Sequence, residues 1–346
     1  MTRLGFFTRL LDDAPAAERY RLALEQIRTA ERLGFASAWV AQHHFHGAEG
    51  GLPSPFVLLA HAAATTSRIR LGTGVVTLPL ENAVRVAEDA VVLDELSGGR
   101  VELGVGSGST PATFLGFGVD PADRQRVFAE RLAELDDALR GRALGHDENR
   151  LYPSAAEAGL PERVWRATFS ADGARFAGEA GQGLMLSRTQ PGPSAPAAVR
   201  GAAIGAHLAG IQEPVVDAYL EALPAGVAPR VLASRTVFVA DTRAEARALA
   251  ETGLRSGAPK LAALGNRFAS DDLDDLIAGT HTHVGTAEEV AESLSGDRVA
   301  LAATDLAVQV HSVDAPHDRI LRSLELIATE VAPALGLELS LVTAAR

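Results

Sequence analysis

Three histidines stand within four residues at His43, His44 and His46, directly after the apolar run Ser37-Ala38-Trp39-Val40-Ala41. Histidine is the side chain whose unperturbed pKa lies nearest physiological pH, so the cluster suits proton transfer. It also admits a second chemistry, because His44-Phe45-His46 has the His-x-His spacing of a metal pair. His207, His281, His283 and His311 are later histidines that could complete such a site. Barrel hydrolases of that kind place the pair after their first strand. Here it follows the second, and no lysine lies mid-chain to bridge two metals. For each ring taken singly, packing or loop capping is the structural alternative.

Two further segments could bind an anion. Val101–Val105 runs into Gly106-Ser107-Gly108-Ser109-Thr110, where alternating glycines let backbone N–H groups approach a ligand closely. Arg124 and Arg126 follow at the start of a helical stretch, and either could pair with a phosphate. Thr168-Phe169-Ser170-Ala171-Asp172-Gly173 closes one apolar run and opens a helix. Ser170 there reads as an N-cap or as part of an anion site at the helix start.

The elements that must position these residues alternate along the whole chain. Strand candidates are Leu4–Phe7, Ser37–Ala41, Ile69–Val76, Val101–Val105, Arg163–Phe169, Gly183–Leu186, Ser234–Val239 and Thr304–Gln309. Helical patterns follow them: Pro15–Leu33 up to Gly34, Ala83–Leu96 up to Ser97-Gly98-Gly99, Arg124–Leu139 up to Gly141, and Thr242–Glu251 up to Gly253. Eight such units predict an α/β fold, a (β/α)8 TIM barrel, with active-site residues at the carboxyl ends of the strands. A doubly wound open sheet would want a Gly-x-Gly-x-x-Gly turn after the first strand, and Gly5 opens nothing of that form. No composition break divides residues 1–346, so one domain is expected. Thr189–Gly210 and Leu254–His283 fit the repeat poorly and read as insertions at the carboxyl ends of strands, as lid segments or plain surface loops.

Composition narrows the function classes. A 47% hydrophobic share with 22% charged residues is that of a globule burying a large core. The net charge of −12 argues against sequence-independent nucleic-acid binding, which needs Lys and Arg on phosphates. Lys260 is the only lysine, and the arginines are scattered. Without cysteine there is no disulfide, thiolate metal site or thiol nucleophile. The start has no leader-like series, and no apolar run reaches membrane-spanning length. A soluble cytoplasmic protein with no membrane partner is the expectation.

Taken together, the segments resemble the luciferase-like flavin monooxygenase family over nearly the whole chain. The resemblance rests on Ala30–Phe35, Trp39–Phe45, Leu71–Leu80, Ala87-Glu88-Asp89 and Leu93-Asp94-Glu95-Leu96-Ser97-Gly98-Gly99-Arg100. Arg235–Asp241 and Val284-Gly285-Thr286 agree more loosely. It implies a (β/α)8 barrel that takes reduced FMN and dioxygen to oxygenate a small organic substrate. A separate flavin reductase would supply the cofactor, and a homodimer is expected. A deazaflavin coenzyme serving hydride transfer is the alternative within the same fold, and a non-catalytic flavin-binding protein or the metal-dependent hydrolase above are the minor ones.

By resemblance, His43 serves the flavin and His44 stands beside it as the second catalytic candidate. Gly74–Val75 maps to a non-prolyl cis peptide against the flavin ring. Gly106, Ser107, Arg126, Ser170 and Gly173 map to the cofactor-binding loops, the last three at the phosphate. Phe6, Phe45 and Phe56 would be apolar walls. Two departures weaken the phosphate anchor: Ser107 stands where bacterial luciferase has Arg, and Phe169 where it has Glu. A loosely held flavin follows from them.

Overall fold

The computed structural model describes residues 1–190, 195, 199–263, 265, 267–310 and 315–340. His311 and parts of the two expected insertion segments therefore lie outside the described residues. Ten strands form one parallel sheet: β1 (Arg3–Thr8), β2 (Ser37–Val40), β3 (Arg70–Thr73), β4 (Val76–Thr77), β5 (Val101–Gly106), β6 (Val164–Ala167), β7 (Gly183–Leu186), β8 (Val231–Val239), β9 (Thr282–Gly285) and β10 (Asp305–Gln309). The order runs β1-β2-β3-β5-β6-β7-β8, and β10 pairs with both β8 and β1, which closes an eight-stranded barrel. The expected fold is the observed one.

Alternation along the strands sorts side chains into two cores. Leu4, Phe6, Val40, Leu71, Leu103 and Val105 face outward and pack under the helices. The barrel interior holds a separate cluster of Trp39, Trp165, Met185, Leu232 and Ala307, with Phe7, Val75 and Ala167 packed against it. The two indoles meet edge to face, with centroids 5.7 Å apart. They fit because glycines stand opposite them. A Cβ on Gly72 would lie 2.2 Å from the Trp39 ring, and one on Gly183 2.3 Å from that of Trp165. At the amino end of the barrel, Arg3 pairs with Asp305 at 2.8 Å and Arg70 pairs with Glu102. Trp165 Nε1 donates to Glu102 Oε2 at 2.6 Å, and the Arg230 guanidinium lies 4.8 Å over the Trp165 ring.

The helix signals held where stop residues are physically sharp. Ala16–Arg32 ends before Gly34, and Ala83–Ser97 ends on Gly98, both glycines having positive φ. Asn82 caps the second of these through the Arg85 amide. Three expectations need correction. The run Ile69–Val76 is two strands, because β3 stops at Thr73 and β4 resumes at Val76 around a cis Gly74–Val75 peptide. The helix expected over Thr242–Glu251 is Arg243–Ala263 and passes through Gly253, because Ala250, Gly253 and Leu254 are buried on its inner side. The strand β9 was not anticipated; it pairs parallel with the second half of β8, from Thr236↔Thr282 to Val239↔Gly285.

The expected insertions are partly regular structure. Residues 202–222 form the helix after β7, and Leu273–Gly279 is a short helix leading into β9. No helix among the described residues is long and apolar enough to cross a membrane.

Candidate active site

The carboxyl end of the barrel carries a floor of Phe7, Val75 and Ala167 above the tryptophans. Thr73 prepares the gap in the third strand: its Oγ1 donates to the Gly104 carbonyl at 2.8 Å and accepts the Gly104 N–H at 2.9 Å. The hydroxyl thus replaces the backbone ladder where β3 leaves β5. The cis Gly74–Val75 peptide comes next, on the strand beside the one that bears the histidines. A Cβ on Gly74 would fall 2.6 Å from the Phe7 ring, so the backbone lies directly on that aromatic.

Gln42 fixes the exit from β2. Its Nε2 donates to Glu81 Oε1 at 2.7 Å and to the Pro53 carbonyl at 3.2 Å, and its Oε1 accepts the Thr77 N–H at 2.7 Å. The loop end is tied to the far side of the cis peptide by one buried amide. His43 follows, with its N–H donated to the Leu52 carbonyl at 2.8 Å. Gly50 closes over its ring, and a Cβ there would be 2.4 Å from Nδ1.

Arg9, one residue beyond β1, reaches His43 Nε2 at 3.4 Å and donates to the Glu49 carbonyl. Guanidinium is a donor only, so Nε2 must be the acceptor and the ring proton sits on Nδ1. Burial first, then the charges of Arg9 and Lys260, bring His43 down to about 3. The imidazole is therefore neutral at physiological pH, able to accept a proton or a hydrogen bond but not to serve as a standing acid. His43 Nδ1 and His44 Nε2 are both buried without a protein partner. Burial also lowers His44, whose ring lies edge-on to Phe117 with centroids 4.7 Å apart.

The remaining expected residues divide. Ser170 accepts the Gly173 N–H at 3.1 Å as N-cap of Ala171–Glu179, and Thr168 Oγ1 accepts the Ser170 N–H at 3.1 Å. Gly106 adjoins Val75 and Ala167, since a Cβ there would meet both. Ser107 Oγ is 3.4 Å from Gln125 Nε2, and Arg124 donates to the Gly108 carbonyl at 3.2 Å. The loop after β5 and the helix start after β6 are thus brought to one edge of the mouth. Among the described residues no hydrogen bond or ion pair brings Arg126 there. It is 59% exposed and bound to Asp123 and Glu130 on its own helix surface.

Of the expected walls, Phe6 belongs to the outer core and Phe56 packs on that core from the helix Pro55–Ala63. Phe45 is 66% exposed at the mouth beside Phe117. The phenylalanine packed on the inner tryptophan cluster is Phe7, one residue from the one named from sequence.

The His-x-His reading fares differently. Among the described residues no three His, Cys, Asp or Glu side chains group as a metal site requires. His46 is exposed, and His207, His281 and His283 lie together beside β8 and β9. His207 Nδ1 meets His281 Nε2 at 2.9 Å, and His283 Nδ1 meets Ser293 Oγ at 2.8 Å.

Sequence reasoning missed Arg9, Arg188 and Glu49. Arg188 stands two residues beyond β7 and donates to Thr236 Oγ1 at 3.3 Å. The signal was the one that found His43, a polar residue just past a strand's carboxyl end.

The chain belongs to the luciferase-like monooxygenase family, whose profile matches residues 3–305. It is 37% identical over 206 residues to 4-hydroxyprotoasukamycin monooxygenase of Streptomyces nodosus subsp. asukaensis, a match covering 56% of this chain and 55% of that one. The chain thus matches about half the length of that relative. Limonene 1,2-monooxygenase of Rhodococcus erythropolis is 30% identical over 321 residues, 90% of this chain and 80% of the relative.

Solved structures share the fold at lower identity. A monooxygenase from Streptomyces bottropensis superposes with a TM-score of 0.76 at 24% identity, covering 96% of this chain and 99% of the other. The oxygenating constituent of 3,6-diketocamphane monooxygenase from Pseudomonas putida, in complex with FMN, gives 0.72 at 21%, covering 98% and 99%. An F420-dependent secondary alcohol dehydrogenase gives 0.69 at 18%, covering 96% and 99%.

Proposed function

We propose that this chain is a cytoplasmic, homodimeric monooxygenase that uses reduced FMN and dioxygen to oxygenate a small organic substrate. A separate reductase would deliver the flavin. The observation that carries this reading is the apolar floor of Phe7, Val75 and Ala167 at the barrel mouth, one strand from His43, with the Gly74 backbone laid directly on Phe7. A flat apolar ring needs such a floor, and the two orphaned ring nitrogens of His43 and His44 need a polar partner.

FMN, when bound, supplies the redox and oxygen-activating chemistry. The chain's part is to hold and shield it. Phe7, Val75 and Ala167 are the support for its ring, with Gly74 and Gly106 allowing close approach. Ser107, Ser170 and the backbone N–H groups of the first turn that ends at Gly173 would be the phosphate contacts, at the start of a helix whose dipole favours an anion. Arg124, already turned onto the Gly108 carbonyl, is a better cation for that phosphate than Arg126 with its two carboxylates. The anchor then has one cation and several neutral donors, which agrees with a flavin that arrives and leaves.

Neutral His43 is the proton acceptor or hydrogen-bonding group beside the flavin, and His44 orients it or meets substrate. Phe45 and Phe117, exposed beside His44, would be the apolar groups that a bound ligand covers.

The test is oxygen uptake coupled to product over a substrate panel, with reduced FMN and with reduced F420 as separate donors. FMN-dependent uptake that is lost in His43→Asn, with FMN still bound, supports the reading. Turnover with the deazaflavin alone would make the chain a hydride-transfer enzyme. Unaltered turnover in His43→Asn would remove His43 from the chemistry.

A further inference from the structure

The mouth holds more positive charge than the flavin reading uses. Arg9 follows β1 and Arg188 follows β7. Arg188 reaches to Thr236, which pairs through Gln309 of β10 with Phe7 of β1. The two guanidiniums thus come to the side of the mouth where Arg9 meets His43 and act on one another as like charges. Among the described residues, neither arginine has a carboxylate partner. Arg9 has His43 Nε2 and one backbone carbonyl; Arg188 has a single threonine hydroxyl. Glu49, whose backbone carbonyl accepts from Arg9, has its carboxylate paired with Lys260 at 2.9 Å. A guanidinium carries five N–H donors, so most of those on Arg188 have no acceptor among the described residues.

Other sheltered arginines in this molecule are treated differently. Arg235 and Arg163 are paired with Asp297 and Asp94, and Arg100 donates to four backbone carbonyls and a hydroxyl. Arg166 and Arg230 lie over aromatic rings. Burial and then Arg9 pull Arg188 down to about 9, still cationic at neutral pH. Holding two like charges together in a sheltered site destabilises the fold unless something negative binds.

We infer that Arg9 and Arg188 form an anion clamp beside His43 that receives the carboxylate of an organic substrate. The planar forks match a carboxylate, and a neutral His43 adds no competing charge. The clamp rests on the reading that flavin fills the mouth with its phosphate at Ser107, Ser170 and Gly173. On that reading the phosphate already has its donors, and Arg9 and Arg188 follow strands other than β5 and β6. The substrate's acid end would then sit at the arginines, with the rest of it laid toward the floor.

The test is calorimetric titration of the purified protein with acetate, benzoate and decanoate, and with benzamide as the neutral isostere of benzoate. FMN binding is followed separately by quenching of flavin fluorescence. At least one carboxylate is expected to saturate, with benzamide weaker than benzoate, and Arg188→Met to lose about tenfold or more of the carboxylate affinity, the size of one charged hydrogen bond. Arg188→Lys should recover part of it, while FMN affinity stays within about twofold.

The melting temperature of Arg188→Met should not fall, because the replacement removes an unpaired charge. No saturable carboxylate, equal affinity for benzamide and benzoate, or a lowered melting temperature overturns the clamp. Loss of FMN affinity in Arg188→Met with carboxylate binding intact assigns the charge to the cofactor and also overturns it. If FMN fails to bind the wild type while carboxylate binding still depends on Arg188, the clamp stands and the flavin reading falls.

Discussion

The two ends of the barrel use the same residue types to opposite effect. At the amino end Arg3, Arg70 and Arg163 each meet a carboxylate, on Asp305, Glu102 and Asp94. Beside β8, Arg235 and Asp297 pair at 0% exposure. At the carboxyl end, among the described residues, Arg9 and Arg188 meet neutral acceptors only, and one ring nitrogen each of His43 and His44 has no partner. Compensated charge holds strands and helices in register; uncompensated charge is a cost that persists where a ligand completes the site. The contrast separates structure from function in a fold where both use arginine.

The largest effect should come from breaking a compensated pair. Asp297→Ala leaves Arg235 buried and alone, and is expected to cost about 3–5 kcal/mol in denaturant unfolding. A small loss there would erase the distinction between the two ends. His43→Asn should do the reverse, leaving unfolding nearly unchanged while coupled oxygen uptake falls about a hundredfold or more.

The third effect is on pH dependence. Burial leads the causes that hold His281 near 3 and His283 near 4, against an ordinary 6.5. His207, Arg235 and Asp297 are the other titrating or charged groups around them. A histidine depressed in the folded state is protonated first in the unfolded chain. Stability is therefore full above 6.5 and declines as pH falls toward 4, by at most about 1.4 kcal/mol per pH unit for each ring. Burial works to raise Asp297, but Arg235 holds it below the usual range, so its contribution goes at still lower pH. Unfolding of His283→Asn measured from pH 7 to 4 should show a shallower slope. An unchanged slope would mean that His283 takes up its proton without unfolding.

The smallest effect is expected at Arg126. Arg126→Ala should leave both the unfolding midpoint and FMN affinity unmoved, whereas Arg124→Ala should weaken FMN binding. The opposite result would return the phosphate to Arg126.

The barrel was legible because short apolar runs and glycine-stopped helices repeat along the chain. What stayed hidden has physical causes. Alternation marks a strand without saying which face is inside, so Phe6 was named where Phe7 fills the barrel. The strand β9 reads as Thr-His-Val-Gly, and only tertiary contacts, with His283 on Ser293, make that segment a buried strand. His43 was visible because it ends a strand in a cluster, while Arg9 and Arg188 were lost among scattered arginines. The pairing of Arg126 was readable, since Asp123 and Glu130 lie three residues before it and four after.

The central claim, that His43 at the mouth serves a bound reduced flavin, is tested most directly by anaerobic binding of reduced FMN followed by admission of dioxygen. The rate of flavin reoxidation would be compared for free FMN, the wild type and His43→Asn. The account predicts that the wild type alters this rate, that His43→Asn still binds flavin, and that the variant returns the rate toward that of free FMN. Identical reoxidation in the wild type and the variant, with flavin bound to both, would contradict it.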